Sequence, residues 1–192
     1  MWNTVKAIKL SAVYRSGLDM DVMEAIFGRR SVRRFKTDPI PEEDLRKILE
    51  AAIRAPSAGN RQPWEFVVVR DPNRKQEIAR AALGQWFIAE APVVIVVCAN
   101  EERSASRYGD RGRKLYCIQD TAAATQNMLL AAYSMGYGTC WVGAFDEGSV
   151  ASIINAPRGV RPVAIIPIGI PAESPSDRGR IPLERVMHEE TF

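Results

Sequence analysis

Positions 28–36 of the sequence, GRRSVRRFK, concentrate positive charge in a short stretch of chain. The basic residues are Arg29, Arg30, Arg33, Arg34 and Lys36. Like charges this close repel one another unless an anion or the solvent compensates them. Arginine offers a planar fork of N–H donors that matches phosphate and carboxylate oxygens, and Ser31 adds a hydroxyl group. The segment therefore indicates an anion site, although an arginine run taken alone is more often a solvated surface.

A small polar turn occupies part of a second segment, APSAGNRQPWEFVVV at residues 55–69. The turn consists of Pro56, Ser57, Ala58, Gly59 and Asn60. Proline, serine, glycine and asparagine favour tight turns, and such a turn exposes backbone N–H and C=O groups to the flat edge of a ligand. Taken alone, the segment is an ordinary connection. Its combination with the arginine cluster, with a capped helix between the two, is far more specific.

Side chains for the common catalytic schemes are scarce. The single histidine, His188, lies near the C-terminus, which argues against Ser-His-Asp and Cys-His catalysis. Cys98, Cys117 and Cys140 are far apart, so we expect buried reduced thiols and no metal site. No phosphate-loop motif occurs, and GYGTCWVG has its glycines after a helix rather than after a strand. A chain that lacks these catalytic groups is compatible with a bound organic cofactor that carries the chemistry.

Composition limits the classes of protein further. The chain has 192 residues, of which 46% are hydrophobic, which is enough for one domain with a real core. The net charge of +3 is milder than that of most nucleic-acid-binding modules. No apolar run reaches the roughly 18 residues of a membrane helix, and the reduced cysteines favour the cytoplasm. We expect an arm at residues 1–19, which does not resemble a signal peptide, followed by a single domain at residues 20–192 that includes a short C-terminal tail.

Apolar spacing and helix-capping residues predict an alternation of helices and strands. The predicted helices lie within residues 19–30, 38–56, 74–85 and 116–138. Gly28 ends the first, Pro56 ends the second, and Gly136 and Gly138 close the last. The predicted strands cover residues 65–71, 92–100, 139–143 and 163–170. The charged stretch 101–114 is either a surface loop or a short helix, and Pro167 suggests a sheet edge or a bulge. This mixture favours a central sheet with helices on both sides.

These segments together resemble the FMN-dependent nitroreductase family over about residues 20–185. The matching motifs are RRSVRRF, APSAGNRQPWEFVVV, GYGTCWVGAF and RIPLERVMH. The resemblance implies an α+β fold with a mixed central sheet flanked by helices. It also implies an intertwined homodimer that binds FMN at each subunit-interface site.

The resemblance assigns the opening cluster to the FMN phosphate. Arg29 and Ser31 resemble the phosphate ligands of the family, with Arg30 beside them. Arg180, together with Arg178, would close over the phosphate from the C-terminal side. A phosphate monoester bound by arginine forks forms charge-assisted hydrogen bonds, so the anion predicted for the cluster is the cofactor's own phosphate.

Other residues resemble the family's contacts with the flavin ring. Arg33 would lie near the pyrimidine edge, where a fixed cation stabilises the negative charge that develops when N5 accepts hydride. Gln85 would touch the N3/O4 edge. The backbone near N5 would belong to Val142, Gly143 and Ala144. The partner subunit would contribute its Pro56, Ser57, Ala58 and Asn60. No side chain is predicted to be catalytic, because the flavin carries the chemistry.

The implied reaction has two steps. NADPH or NADH passes hydride to flavin N5 and leaves, and a nitroaromatic or quinone then takes the electrons on the same face. Substrate choice is predicted to lie in residues 101–114, as a modest lid, and around Trp86 and Phe87.

Three alternatives to this reaction stay open. The same flavin-binding site could serve reductive dehalogenation, an oxidation or flavin breakdown. The chain could instead be a flavin-binding or anion-binding dimer without catalysis. A nucleic-acid-binding role is the weakest alternative, because the net charge is low.

Overall fold

The structure is a computed structural model that describes residues 20–192, so the predicted arm at residues 1–19 lies outside the described residues. The helices are α1 (Val22–Gly28), α2 (Glu42–Ala52), α3 (Pro72–Ala81), α4 (Phe87–Glu90), α5 (Glu101–Arg111), α6 (Cys117–Ser134) and α7 (Glu147–Ile153). The strands are β1 (Trp64–Val69), β2 (Val93–Asn100), β3 (Gly138–Thr139) and β4 (Val160–Gly169). Short 3-10 turns occupy Ala58–Asn60 and Leu183–Arg185, and a π-helical turn occupies Gly112–Tyr116.

The strands form one sheet in the order β1-β2-β4-β3, and neighbouring strands are antiparallel. Val96 at the centre of β2 lies opposite Val67 on one side and Ile165 on the other. Parallel pairing within the described residues is confined to a bridge between Ser31 and Thr139. The predicted α+β class with a central sheet flanked by helices is confirmed.

Strand β2 is covered on both faces, which explains its unbroken apolar sequence. Val94 and Val96 pack into a cluster with α3, α4 and α7 on one face of the sheet. Ile95 and Val97 pack into a second cluster with α2 and α6 on the other face. Full burial of each such side chain stabilises the fold by about 1.5–3 kcal/mol relative to exposure. These two layers fix the sheet on which the candidate site is built.

The prediction for Pro167 is wrong. Strand β4 is interior to the sheet, and the irregularity in its pairing lies at Val97 and Cys98. Ile165 exchanges backbone hydrogen bonds with Val142, on the β3 side of β4. The backbone nitrogen of Pro167, two residues further along, therefore points to the same side. Pairing with β3 itself resumes only at Thr139. Proline is therefore tolerated because its missing N–H group lies at a gap in the ladder.

The stretch 101–114 is mainly helical, which decides between the two predicted alternatives. Asn100 caps α5 by accepting a hydrogen bond from the Arg103 N–H at 3.0 Å. Gly109 interrupts the helix with φ +52° and ψ −139°, and the chain then turns through the π-helical segment into α6. The predicted lid function remains a prediction. Within residues 20–192, no helix is both long and apolar enough to cross a membrane.

Candidate active site

The arginine segment is held in place by the edge of the sheet. Helix α1 ends at Gly28, and the chain then runs in extended form alongside β3. The Val32 N–H donates to the Thr139 carbonyl at 2.9 Å, and the Lys36 N–H donates to the Ile170 carbonyl at 2.8 Å. These bonds tie the segment to two separate parts of the fold. They fix the backbone from which the arginine side chains project.

A cleft of about 440 Å³ lies between this segment and the C-terminal segment 173–180. Its lining residues are Arg29, Arg30, Ser31, Arg33, Glu173, Pro175, Ser176, Arg178 and Arg180. All the residues predicted for the phosphate therefore line one cleft, together with Arg33. Residues from opposite ends of the described chain meet there because the extended segment is bonded to the chain that follows β4.

Positive charges are crowded together in the cleft. Burial lowers the pKa of Arg29, and the nearby charges of Arg180 and Arg30 lower it further. A lowered guanidinium pKa means that the surroundings disfavour the cation. A phosphate placed between Arg29 and Arg180 would relieve that repulsion and supply acceptors for both forks. The set of donors therefore fits a phosphate monoester such as that of FMN.

Cys140 lies beneath this cluster. Burial raises the pKa of its thiol, while Arg33, a hydrogen bond with Ser31, and Arg29 act in the opposite direction. The three cysteines are buried and free, as predicted. Cys140 is the one that contacts the candidate site. The sequence did not reveal this contact, because the thiol reaches the cluster only through the pairing of β3 with the arginine segment.

Arg30 is engaged differently from Arg29. Its guanidinium donates to the carbonyl oxygens of Phe27 at 2.6 Å and Arg29 at 3.0 Å. It also forms an ion pair with Asp177 at 2.6 Å. Arg30 thus connects α1, the arginine segment and the C-terminal segment.

Two carboxylates in the C-terminal segment were missed by sequence reasoning. The Arg33 N–H donates to Glu173 at 2.5 Å, and Asp177 pairs with Arg30. The only sequence signal was their position near Arg178 and Arg180 in the stretch ESPSDRGR. Acidic residues beside an anion site are counterintuitive, yet here they bond to the backbone and side chains that frame the cleft.

The residues predicted for the flavin ring lie close to one another. The side-chain amide of Gln85 donates to the Ala144 carbonyl at 3.0 Å. The guanidinium of Arg33 lies 5.9 Å from the centre of the Phe87 ring. The structure therefore brings the α3–α4 connection against the backbone that follows β3, and places Phe87, a predicted substrate-side residue, beside Arg33.

The backbone that follows β3 has one anchored and one open part. Val142 is buried and exchanges backbone hydrogen bonds with Ile165. Gly143, the next residue, is exposed, and a Cβ atom built there would meet no atom within 4 Å. The anchored residue fixes the position of the chain, and the glycine leaves a face that a planar ring could approach.

The turn at residues 56–60 does not join the cleft within one chain. Pro56, Ser57, Ala58 and Asn60 are all absent from the cleft lining. The turn is instead bound to α6, where the Ala58 N–H donates to Asp120 at 3.1 Å. Gly59 and Asn60 have φ values of +52° and +56°, a left-handed conformation that glycine and asparagine tolerate best. The contribution of this turn from a partner subunit therefore remains a prediction.

Asp120, which anchors the turn, provides a pH-dependent test of this arrangement. It is 7% exposed, one carboxylate oxygen accepts the Ala58 N–H, and the other has no partner among the described residues. Burial raises the pKa of Asp120. Because the folded protein then binds this proton more tightly than the unfolded chain, the contribution of Asp120 to the free energy of unfolding falls as pH rises from about 4 towards 7.

We expect Asp120→Asn to remove this contribution, so that the variant gains stability relative to the parent protein between about pH 4 and pH 7. Urea denaturation at the two pH values measures the effect. Asp38→Asn, at an exposed position, is the matched control. An identical pH dependence in the parent protein and Asp120→Asn would contradict the expectation.

No group of three or more histidine, cysteine, aspartate or glutamate residues in the described part of the chain is arranged to hold a metal ion. The sequence-based expectation that the protein binds no metal is not tested by this finding and stays a prediction. The chemistry available at the site is anion binding by arginine and access to an open backbone face.

The Nitroreductase family model matches this chain at residues 26–90 and 86–170. The chain belongs to the nitroreductase family. A relative from Thermus thermophilus named NADH dehydrogenase is 36% identical over 195 residues, covering 88% of this chain and 95% of the relative. A Bacillus subtilis protein named FMN reductase [NAD(P)H] is 30% identical over 185 residues, covering 90% of this chain and 74% of that protein.

A solved structure shows the same architecture. The NADPH:FMN oxidoreductase of Vibrio harveyi, complexed with NAD+, superposes with a TM-score of 0.83 at 28% identity. The superposition covers 89% of this chain and 77% of that chain. The family predicted from the sequence motifs is therefore confirmed.

Proposed function

We propose that this nitroreductase-family protein uses FMN to pass hydride from NADPH or NADH to a nitroaromatic or a quinone, in two half-reactions on one face of the flavin. The predicted class, an FMN-dependent NAD(P)H oxidoreductase, is confirmed by the family match and by relatives named FMN reductase [NAD(P)H] and NADPH-flavin oxidoreductase. The observation that carries the proposal is the cleft of converging arginines beside an exposed glycine backbone.

The phosphate and the pyrimidine edge of the cofactor each have a fitting counterpart in the chain. Arg29, Ser31 and Arg180 would hold the phosphate. Arg178, in the C-terminal segment, would lie beside it. When bound, FMN supplies flavin N5 as the acceptor and donor of hydride. Arg33 would stabilise negative charge on the pyrimidine edge, because a positioned cation needs little rearrangement as charge develops.

The open backbone face would admit the substrates. A side chain at Gly143 would project into the space where a ring must lie, so its absence permits close stacking. Gln85, whose side-chain amide donates to the Ala144 carbonyl, would lie at the N3/O4 edge of the flavin. The nicotinamide and the oxidant would then use the same face in turn, which is the physical basis for a two-step, alternating mechanism.

The site is proposed to be completed in an intertwined homodimer. Phe27 on α1 is 71% exposed in one chain, and Leu183 in the C-terminal segment is 62% exposed. Neighbouring apolar residues Val22, Ile26 and Ile181 are also exposed. Large apolar side chains that are exposed in one chain, as these are, are characteristic of an interface when they lie together. A second copy would cover it and bring its own turn at residues 56–60 towards the flavin.

A panel of oxidants tests the proposed reaction. The FMN-loaded protein is reduced anaerobically with NADPH or NADH, and quinones and nitroarenes are then added separately while reoxidation is followed by absorbance. We expect fast reoxidation by at least one compound of these two classes. Reduction by the nucleotide without reoxidation by any member of the panel would contradict the proposed oxidants while leaving the cofactor assignment intact.

A further inference from the structure

We propose that Asp177 is a positioning residue that holds the turn at residues 177–180 against the arginine segment through Arg30, and thereby presents Arg180 to the FMN phosphate. The inference rests on the proposed function, since it concerns how the phosphate cleft is assembled. It assigns Arg30 a role different from that of a phosphate ligand.

Arg30 is a fixed support for such a contact. Its Nη1 donates to the carbonyl oxygens of Phe27 and Arg29 at 2.6 and 3.0 Å, and its Nη2 donates to Asp177 at 2.6 Å. The side chain of Arg30 is only 24% exposed, whereas that of Asp177 is 56% exposed. Arg30 is therefore the more buried partner, and Asp177 connects the more exposed segment to it.

Asp177 also organises the turn that carries Arg180. Its second carboxylate oxygen accepts the Gly179 N–H at 2.9 Å, and Gly179 has φ +74°, which favours glycine at that position. Arg180 lies 3.8 Å from the same oxygen and donates to the Gly179 carbonyl at 2.6 Å. The Asp177 carboxylate thus contacts both Arg30 and the turn that carries Arg180. Its pKa is lowered chiefly by the Gly179 N–H and further by Arg30 and Arg180, so it is charged at neutral pH.

Repulsion makes this connection necessary. Arg180 lowers the pKa of Arg29, so the two guanidinium groups repel each other across the cleft. Two side-chain bonds join residues 173–180 to the arginine segment within the described chain, namely Glu173 to the Arg33 N–H and Asp177 to Arg30. Of the two, only the Asp177 bond lies in the turn with Arg180. Without it, the turn could move away before an anion arrives.

The direction in which neutralising Asp177 changes the affinity for an anion separates a positioning role from a purely electrostatic one. If Asp177 acted only as a negative charge near the cleft, its neutralisation would strengthen the binding of an anion. If it positions Arg180, neutralisation weakens the binding. Asp177→Asn is the informative variant, because an amide oxygen can still accept the Gly179 N–H while the ion pair with Arg30 is lost.

The experiment is an FMN titration of the full-length protein after removal of bound flavin, followed by quenching of flavin fluorescence. We expect Asp177→Asn to raise the FMN dissociation constant about two- to fivefold, the range for an exposed ion pair. Combined with Arg180→Ala, Asp177→Asn is expected to add almost nothing, because the residue through which it acts is already gone. Glu189→Gln, an exposed carboxylate beyond the motif RIPLERVMH, is the matched control and is expected to leave the dissociation constant unchanged.

Tighter or unchanged FMN binding in Asp177→Asn would overturn the inference, as would an equal loss in the Arg180→Ala background. Trypsin cleavage after Arg178 and Arg180 in the flavin-free protein provides an independent reading, and Asp177→Asn is expected to be cut faster there. An unchanged cleavage rate would contradict the role of Asp177 in holding the turn. Failure of the parent protein to bind FMN would instead overturn the proposed function, with proteolysis still deciding whether Asp177 holds the turn.

Discussion

Arg29→Ala is expected to weaken FMN binding by about 1.5–3 kcal/mol, the range for a hydrogen bond to a charged group. This corresponds to a roughly 10- to 150-fold higher dissociation constant. The effect is expected to be large because Arg29 is partly buried in the cleft, where burial and the charge of Arg180 both disfavour its cation. Titration of flavin-free protein with FMN measures the change directly.

Two companion variants make the Arg29 result specific. Arg29→Lys is expected to recover only part of the loss, because an ammonium group is a point charge and lacks the planar fork. Arg34→Ala removes a cation from the same segment at an exposed position outside the cleft lining, and is expected to bind FMN like the parent protein. Equal losses in Arg29→Ala and Arg34→Ala would mean that net charge, rather than the cleft, determines the affinity.

Gly138→Ala is expected to lower the free energy of unfolding by about 1–3 kcal/mol, the usual cost of overpacking. A Cβ atom at Gly138 would lie 2.9 Å from three side-chain atoms of Val32. Val32 is buried and β-branched, so it cannot turn aside without moving the backbone. Because Val32 belongs to the arginine segment, this movement is also expected to weaken FMN binding.

Urea denaturation and an FMN titration of the same preparation measure the two effects of Gly138→Ala together. Gly148→Ala in α7 is the matched control, because a Cβ atom there meets only one Asp146 oxygen at 3.6 Å. It is expected to be neutral or slightly stabilising, as alanine favours helix. Parent-like stability in Gly138→Ala would show that the contact between β3 and the arginine segment does not constrain the site.

The elements that could be predicted from sequence are those with strong local signals. Helix α1 begins after Asp21 with a capping box completed by Glu24, as its acidic start suggested. Residues 93–99 of strand β2 are all apolar because both faces of the strand are buried. Helices α4 and α7 were not predicted, since four and seven residues are too few for a helical period to stand out.

The arginines of the candidate site were predictable, and its two carboxylates were not. The arginines were visible as a cluster, and the resemblance to a family joined them to Arg178 and Arg180. Glu173 and Asp177 could not be assigned, because their partners are a backbone N–H and a side chain about 140 positions away. Contacts of that separation depend on the pairing of the arginine segment with the chain after β4, which no local pattern encodes.

We propose that the arginine cleft holds FMN for transfer of hydride from a nicotinamide nucleotide. An absorption spectrum of the purified protein, taken before and after anaerobic addition of NADPH and separately of NADH, tests it most directly. We predict flavin bands in the first spectrum and their loss after at least one nucleotide. A protein that is colourless and does not take up added FMN, or that keeps its flavin bands with both nucleotides, would contradict the claim.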